Sequence, residues 1–254
     1  MTTKSKTEES RLDIAETASY RIRVWDAPTR LFHWLLLVVV SIAIASGVVG
    51  GNWMALHGKA GLTVVGLLVF RLVWGFVGNR YARFSSFFPL PSRLLNYLHG
   101  GWHGVGHNPL GALSVLAMLV LLSLQVGTGL FGNDEIAFTG PLVSLVSDAL
   151  SLRLTGLHRF LSNILFILLG LHLAAILFYT LVKKDNLIKP MLTGFKDIQG
   201  HQVDADPKPA GWIALVAGLA VAVIFVCLAS GGLLGKTSAQ SSAAPSTSTP
   251  KPAW

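Results

Sequence analysis

The stretch HRFLSNILFILLGLHLAAILFYTLV (His158–Val182) is apolar throughout, with one base, Arg159, at its start and no acid. Crossing the hydrocarbon core of a bilayer takes about 20 apolar residues at about 1.5 Å each. A run of this length is unusual in a water-soluble core, so the segment reads as a transmembrane helix. In lipid only such a helix satisfies its own backbone hydrogen bonds. The same stretch holds two histidines, His158 and His172, whose sequence numbers differ by fourteen. At about 100° per residue, fourteen steps return to within about 40° of the starting direction, after a rise of about 21 Å. The two imidazoles therefore share one face of the helix and sit at two depths.

Four more apolar runs flank this one: Leu31–Gly51, His57–Gly78, Leu110–Gly132 and Gly211–Leu234. Each reaches the length of about 20 residues that a membrane crossing requires. The second contains Arg71 and is the weakest span. The composition agrees: 52% of the 254 residues are hydrophobic and only 13% are charged, against about 25% charged in soluble domains. Such a chain cannot cover an ordinary water-facing surface. This excludes a soluble enzyme, a disordered protein and a nucleic-acid binder inferred from the net charge of +8. The single cysteine, Cys227, excludes an intrachain disulfide, a thiolate metal cluster and a Cys-x-x-Cys-His attachment site for c-type haem.

Basic residues orient the spans. Fourteen lie in the N-terminal segment and in the loops after the second and fourth spans; five lie on the opposite side, with Arg71 within a span. The expected topology places the N-terminus inside and the C-terminus outside. Residues 1–30 carry five acids and do not read as a cleavable signal. The expected organisation is a cytosolic polar tail (1–20), a four-helix transmembrane domain (21–194), a cytosolic linker (195–210), a fifth transmembrane helix (211–234) and a disordered extracytoplasmic tail (235–254). No internal repeat of fixed period is present.

Ionisable groups inside a membrane are costly and usually functional. With this topology, His57 lies at the outer depth of His158, and His33 at the inner depth of His172. One histidine near a helix end is more often a hydrogen-bonded interfacial residue than a ligand; four in two depth-matched pairs are harder to dismiss. Two histidines supply only half the four ligands zinc prefers, and no Cys, Asp or Glu lies nearby. Haem iron needs two axial ligands only. The pairs His33/His172 and His57/His158 are thus expected to hold two non-covalent, bis-His b-type haems, suited to electron transfer rather than oxygen activation.

Arg71 stands at the same spacing of fourteen from His57, on the same face at the inner depth. It either meets a propionate of the inner haem or snorkels to the interface. Gly47, at that spacing from His33, either leaves room for a ring or serves helix packing. Arg30 completes the expected cofactor-binding set. The segment HGGWHGVGH (His99–His107) places His99, His103 and His107 at four-residue spacing, but its four glycines oppose a helical metal-binding stripe. A polar interfacial loop is the expected form. Trp25, Trp34, Trp53, Trp74, Trp102 and Trp212 fall near span ends and read as an aromatic belt. Gln125, with Ser123 and Thr128, reads as a cross-helix hydrogen-bonding group, with a quinone pocket as the alternative. Asp134, Glu135 and Asp148 read as solvated, or as facing a basic partner.

The ordered motifs RVWDAPTRLFHW (Arg23–Trp34), HGKAG (His57–Gly61), FRLVWG (Phe70–Gly75), GHNPLGAL (Gly106–Leu113), LHRF (Leu157–Phe160), LGLHLAA (Leu169–Ala175) and NLIKPMLTG (Asn186–Gly194) resemble bacterial cytochrome b-561 proteins and the b-type cytochrome subunits of nickel–iron hydrogenases. The resemblance covers about Arg21 to Gly194. It implies an all-α, four-helix bundle with two b haems, ligated at positions matching His33, His57, His158 and His172, and exchange of electrons with quinone and a redox partner. The fifth helix lies outside it.

The expected protein is therefore a polytopic membrane cytochrome b. It would pass electrons between quinone or quinol and a periplasmic c-type cytochrome or a respiratory enzyme subunit, and would contact membrane lipid but no nucleic acid. No catalytic acid or base is apparent; as an enzyme it would act only as a subunit of a quinone oxidoreductase. The first alternative is an anchor subunit of a hydrogenase- or formate-dehydrogenase-like complex. The alternative of another class is a proton- or metal-linked transporter, opposed by the lack of inverted repeats and of acids within the spans.

Overall fold

A computed structural model of the chain describes residues 19–101, 106–136, 138–199 and 210–232. The expected tail at 235–254, most of that at 1–20, Trp102 and His103 lie outside them. Five helices in the described part are long and apolar enough to cross a membrane. These are α1 (Ala27–Val49), α2 (Met54–Val77), α5 (Pro109–Leu130), α6 (Asp148–Leu181) and α8 (Trp212–Ala229). Short helices α3 (Phe84–Phe87) and α4 (Pro91–Leu98) link α2 to α5, and α7 (Ile188–Thr193) follows α6. The chain is an integral membrane protein with an all-helical transmembrane part.

The helix starts follow local chemistry. Asp26 caps α1 by accepting from the Thr29 amide at 2.9 Å, and Asn108 caps α5 by accepting from the Gly111 amide at 2.7 Å. Each is followed by proline in the first turn, where the missing N–H costs nothing. Ser147 caps α6, so this helix begins well before the apolar run at His158. The extra turns are tied down by Ser151, whose hydroxyl donates to the Phe131 carbonyl at 2.7 Å.

α2 is the most buried span and α6 the least. α1, α8 and α5 all pack on α2, and α6 packs on α5. α1 and α6, which carry His33 and His172, are not among the closely packed pairs. The fifth helix therefore docks on α2 instead of standing apart. Gly66 meets Val226 and Gly218 meets Phe70 so closely that an added Cβ would lie 2.9 and 3.4 Å from those side chains. Small residues permit such approach where lipid supplies no hydrophobic drive between helices.

The end of the bundle that carries His33 has a second layer not foreseen from sequence. Strands β1 (Ser19–Arg23) and β2 (Phe195–Gln199) pair antiparallel, Arg23 opposite Phe195. The Arg21 and Arg23 guanidinium groups lie 4.5 and 5.2 Å from the Phe195 ring centroid. The Gly194 carbonyl accepts from the Val24 and Trp25 amides at 2.9 and 3.1 Å. Trp34 donates to the Met191 carbonyl at 3.2 Å, and Arg30 donates to that of Leu192. The chain on both sides of the four-helix unit is thus clasped under α1.

Candidate functional site

His57, in the first turn of α2, and His158, in the N-terminal third of α6, face each other across a cavity of about 490 Å³ lined by α1, α2, α5 and α6. That volume lies within the roughly 300–1,000 Å³ typical of cofactor pockets. No α8 residue lines it. The two imidazole centroids are 5.9 Å apart with ring planes at 82°. The two rings stand close enough that one metal ion, at imidazole bonds of about 2.0–2.1 Å, could be held by both.

Both rings are oriented through Nδ1. His57 Nδ1 lies 2.8 Å from the Ala43 carbonyl oxygen, and His158 Nδ1 lies 2.9 Å from that of Gln125. A carbonyl only accepts, so in each ring Nδ1 carries the hydrogen and Nε2 keeps its lone pair. The Gln125 side-chain amide lies 3.1 Å from His158 Nε2, consistent with an accepting Nε2. Gln125 thus bonds across helices. Its Oε1 is buried without a partner.

The loop between α5 and α6 closes this end. The Phe138 ring stands edge-on to His57, centroids 6.3 Å apart, and reaches there because Gly58 has no side chain: a Cβ would lie 2.8 Å from Phe138. Asp134 holds the turn by accepting from the amides of Ile136 and Phe138 at 3.0 and 2.8 Å.

At the other end, α1 carries His33 and α6 carries His172. His33 Nδ1 is buried without a hydrogen-bond partner. Arg71 is only 3% exposed, which rules out snorkelling. Its guanidinium lies 4.9 Å from the Phe84 ring centroid, under a ring that Gly75 alone can admit; a Cβ there would overlap Phe84 at 2.1 Å. Arg71 Nη1 is also buried and unpartnered. A buried guanidinium nitrogen of this kind calls for an anionic acceptor, and the carboxylate edge of a haem would fit it.

The other expected site residues sort as follows. Gly47 lines the cavity, and the ring its missing side chain admits is the His57 imidazole: a Cβ would lie 2.8 Å from Nδ1. Arg30 binds the main chain of α7, and its Nε is buried without a partner. His107 departs from the expected interfacial loop. It sits between Trp25 and Phe87, ring centroids 4.5 and 4.7 Å away. Desolvation first, then the nearby Arg71 charge, lowers its pKa to about 3. Trp74 is not part of an aromatic belt: it is 2% exposed, and its indole N–H donates to Asp26 Oδ2 at 3.0 Å. Trp53 and Trp212 are exposed, as an interfacial belt requires. Sequence reasoning missed Gly129, against which His158 rests; its spacing of four from Gln125 was the only available signal. Among the described residues no group of three or more His, Cys, Asp or Glu could hold a bare metal ion.

The family model described as prokaryotic cytochrome b561 matches residues 24–194, which span both histidine pairs. The chain belongs to the prokaryotic cytochrome b561 family. This b561-family chain is accordingly a membrane-embedded b-type cytochrome, a haem b protein. It is 23% identical over 137 residues to a probable Ni/Fe-hydrogenase 1 B-type cytochrome subunit of Escherichia coli (strain K12), covering 42% of the chain and 57% of that relative's length. It is also similar to probable Ni/Fe-hydrogenase B-type cytochrome subunits of Azotobacter chroococcum mcd 1 (23% identical; 74% of the chain, 92% of the relative) and Rhizobium leguminosarum bv. viciae (24%; 69% and 90%). No solved structure matches the chain. α8 falls outside the family match.

Proposed function

We propose that this chain is a dihaem electron-transfer cytochrome of a bacterial inner membrane, N-terminus inside, passing electrons between the quinone pool and a redox partner on the outer side. The supporting observation is the close pair His57/His158, with each Nδ1 on a main-chain carbonyl of a neighbouring helix. His57 and His158 would hold the outer haem; His33 and His172 would hold the inner one, with Arg71 receiving a propionate. A bound haem supplies one-electron redox chemistry. The chain orients the ligands, compensates carboxylate charge and provides a low-dielectric sheath.

The names of the relatives favour one partner class over a free c-type cytochrome: a hydrogenase. In that reading the chain is the membrane anchor through which such an enzyme reaches quinone. The fifth helix does not obstruct either reading, because it packs on α2 away from the cavity.

The test is the reduced-minus-oxidised spectrum and the haem-to-protein ratio of the purified protein. Two b haems per chain are expected. A protein that stays colourless when made with ample haem overturns the reading.

A further inference from the structure

The contacts of His57 and His158 repeat one pattern on two different helices. On α1, the Ala43 carbonyl faces His57 Nδ1 at 2.8 Å, and Gly47, one turn further on, would place a Cβ 2.8 Å from that same nitrogen. On α5, the Gln125 carbonyl faces His158 Nδ1 at 2.9 Å, and Gly129, again four residues on, would place a Cβ 3.1 Å from Cε1 and 3.3 Å from Nδ1. In an α-helix the carbonyl of residue i already accepts from the amide of i+4. A ring from a neighbouring helix reaches that oxygen more readily when no side chain projects from i+4 across its path. Glycine at i+4 leaves this path open, and the imidazole occupies the space that a side chain there would take.

We infer that Ala43/Gly47 and Gln125/Gly129 are two copies of one positioning device, which fixes the Nδ1–H form of both iron ligands and makes the haem between them harder to reduce than the haem held by His33. The inference rests on the haem-ligand reading above. Its physical basis is the hydrogen bond behind each ligand. An Nδ1–H bonded to a carbonyl makes the imidazole a stronger donor, which favours the more positively charged, oxidised iron. The same device is lacking for His33, whose Nδ1 is buried without a partner. Gly47 and Gly129 are positioning residues: they touch the ligands, not the reacting atoms.

The full-length protein tests this by redox titration of both haems in Gly129→Ala and Gly47→Ala, with Gly127→Ala as the control. Gly127 lies on α5 close to Gly129, and a Cβ there meets nothing within 4 Å. The wild-type outer haem is expected at the lower potential. Gly129→Ala should shift its midpoint upward while both haems stay bound and the inner midpoint stays put. Gly47→Ala should shift it further or release the outer haem, and Gly127→Ala should do neither. An outer midpoint in Gly129→Ala equal to that of the control, at full haem content, overturns the inference while leaving the ligand assignment standing. So does a wild-type outer haem at the higher potential. A wild-type protein without haem would instead overturn the underlying reading.

Discussion

The imidazole planes of His57 and His158 stand at 82° to each other, with centroids 5.9 Å apart. Each ring takes its angle from a different helix, His57 from the Ala43 carbonyl on α1 and His158 from the Gln125 carbonyl on α5. Perpendicular rings donate almost equally to the two iron orbitals that lie across the haem plane and leave them nearly degenerate. The oxidised outer haem is therefore expected to show a strongly anisotropic low-spin signal in low-temperature electron paramagnetic resonance. An ordinary rhombic spectrum from both haems would show that the planes lie parallel.

The pairing of depths is separable by mutation. His172→Ala should remove the inner haem and leave the outer one; His57→Ala should do the reverse. Haem content should fall from two to one per chain in each, with different midpoints surviving. Retention of both haems in His172→Ala would rule out the assigned pairing.

Asp26 serves two partners at once, capping α1 through Oδ1 and accepting from Trp74 through Oδ2. Replacing it with alanine removes a cap worth about 0.5–2 kcal/mol and orphans a buried indole N–H at about 1–3 kcal/mol. Asp26→Ala should therefore unfold in detergent at a clearly lower temperature. Wild-type thermal stability in this variant would mean that the Asp26 contacts contribute little.

His107 is a base whose folded pKa, about 3, lies below its unfolded value of about 6.5. As pH falls through that window the unfolded chain takes up a proton that the folded chain refuses. Stability is full above about pH 6.5 and declines toward pH 3. His107→Phe keeps a ring between Trp25 and Phe87 but cannot titrate. Its melting temperature should drop less than that of the wild type between neutral and mildly acidic buffer. Equal acid losses in the two proteins would place the sensitivity elsewhere.

The contact of α8 with α2 depends on Gly66 lying under Val226. Gly66→Leu should over-pack this seam at a cost of about 1–3 kcal/mol while haem content stays at the wild-type value, since no α8 residue lines the cavity. Haem loss in this variant would tie the fifth helix to the site.

Much of the architecture is legible in single stretches of sequence because its causes are local. Lipid forces each apolar run into a helix that closes its own hydrogen bonds. A regular helix turns a spacing of fourteen into a shared face and a difference in depth. That is why His158 and His172, or His57 and Arg71, can be placed relative to each other without a structure. The caps at Asp26 and Asn108 are equally local, since each side chain reaches an amide in the first turn of its own helix.

Relations between segments distant in sequence are another matter. Strand β1 finds β2 across the whole length of the four-helix unit. His107 is drawn between Trp25 and Phe87, and Trp74 reaches Asp26. No periodicity marks which carbonyl of a neighbouring helix meets Nδ1 of His57 or His158. Nor does any composition separate Gly129, which receives a histidine ring, from Gly127, which faces open space. Helix rise and lipid set where along the membrane normal each histidine lies. The angles and close approaches of packed helices set which atoms face it, and so how firmly each imidazole is held.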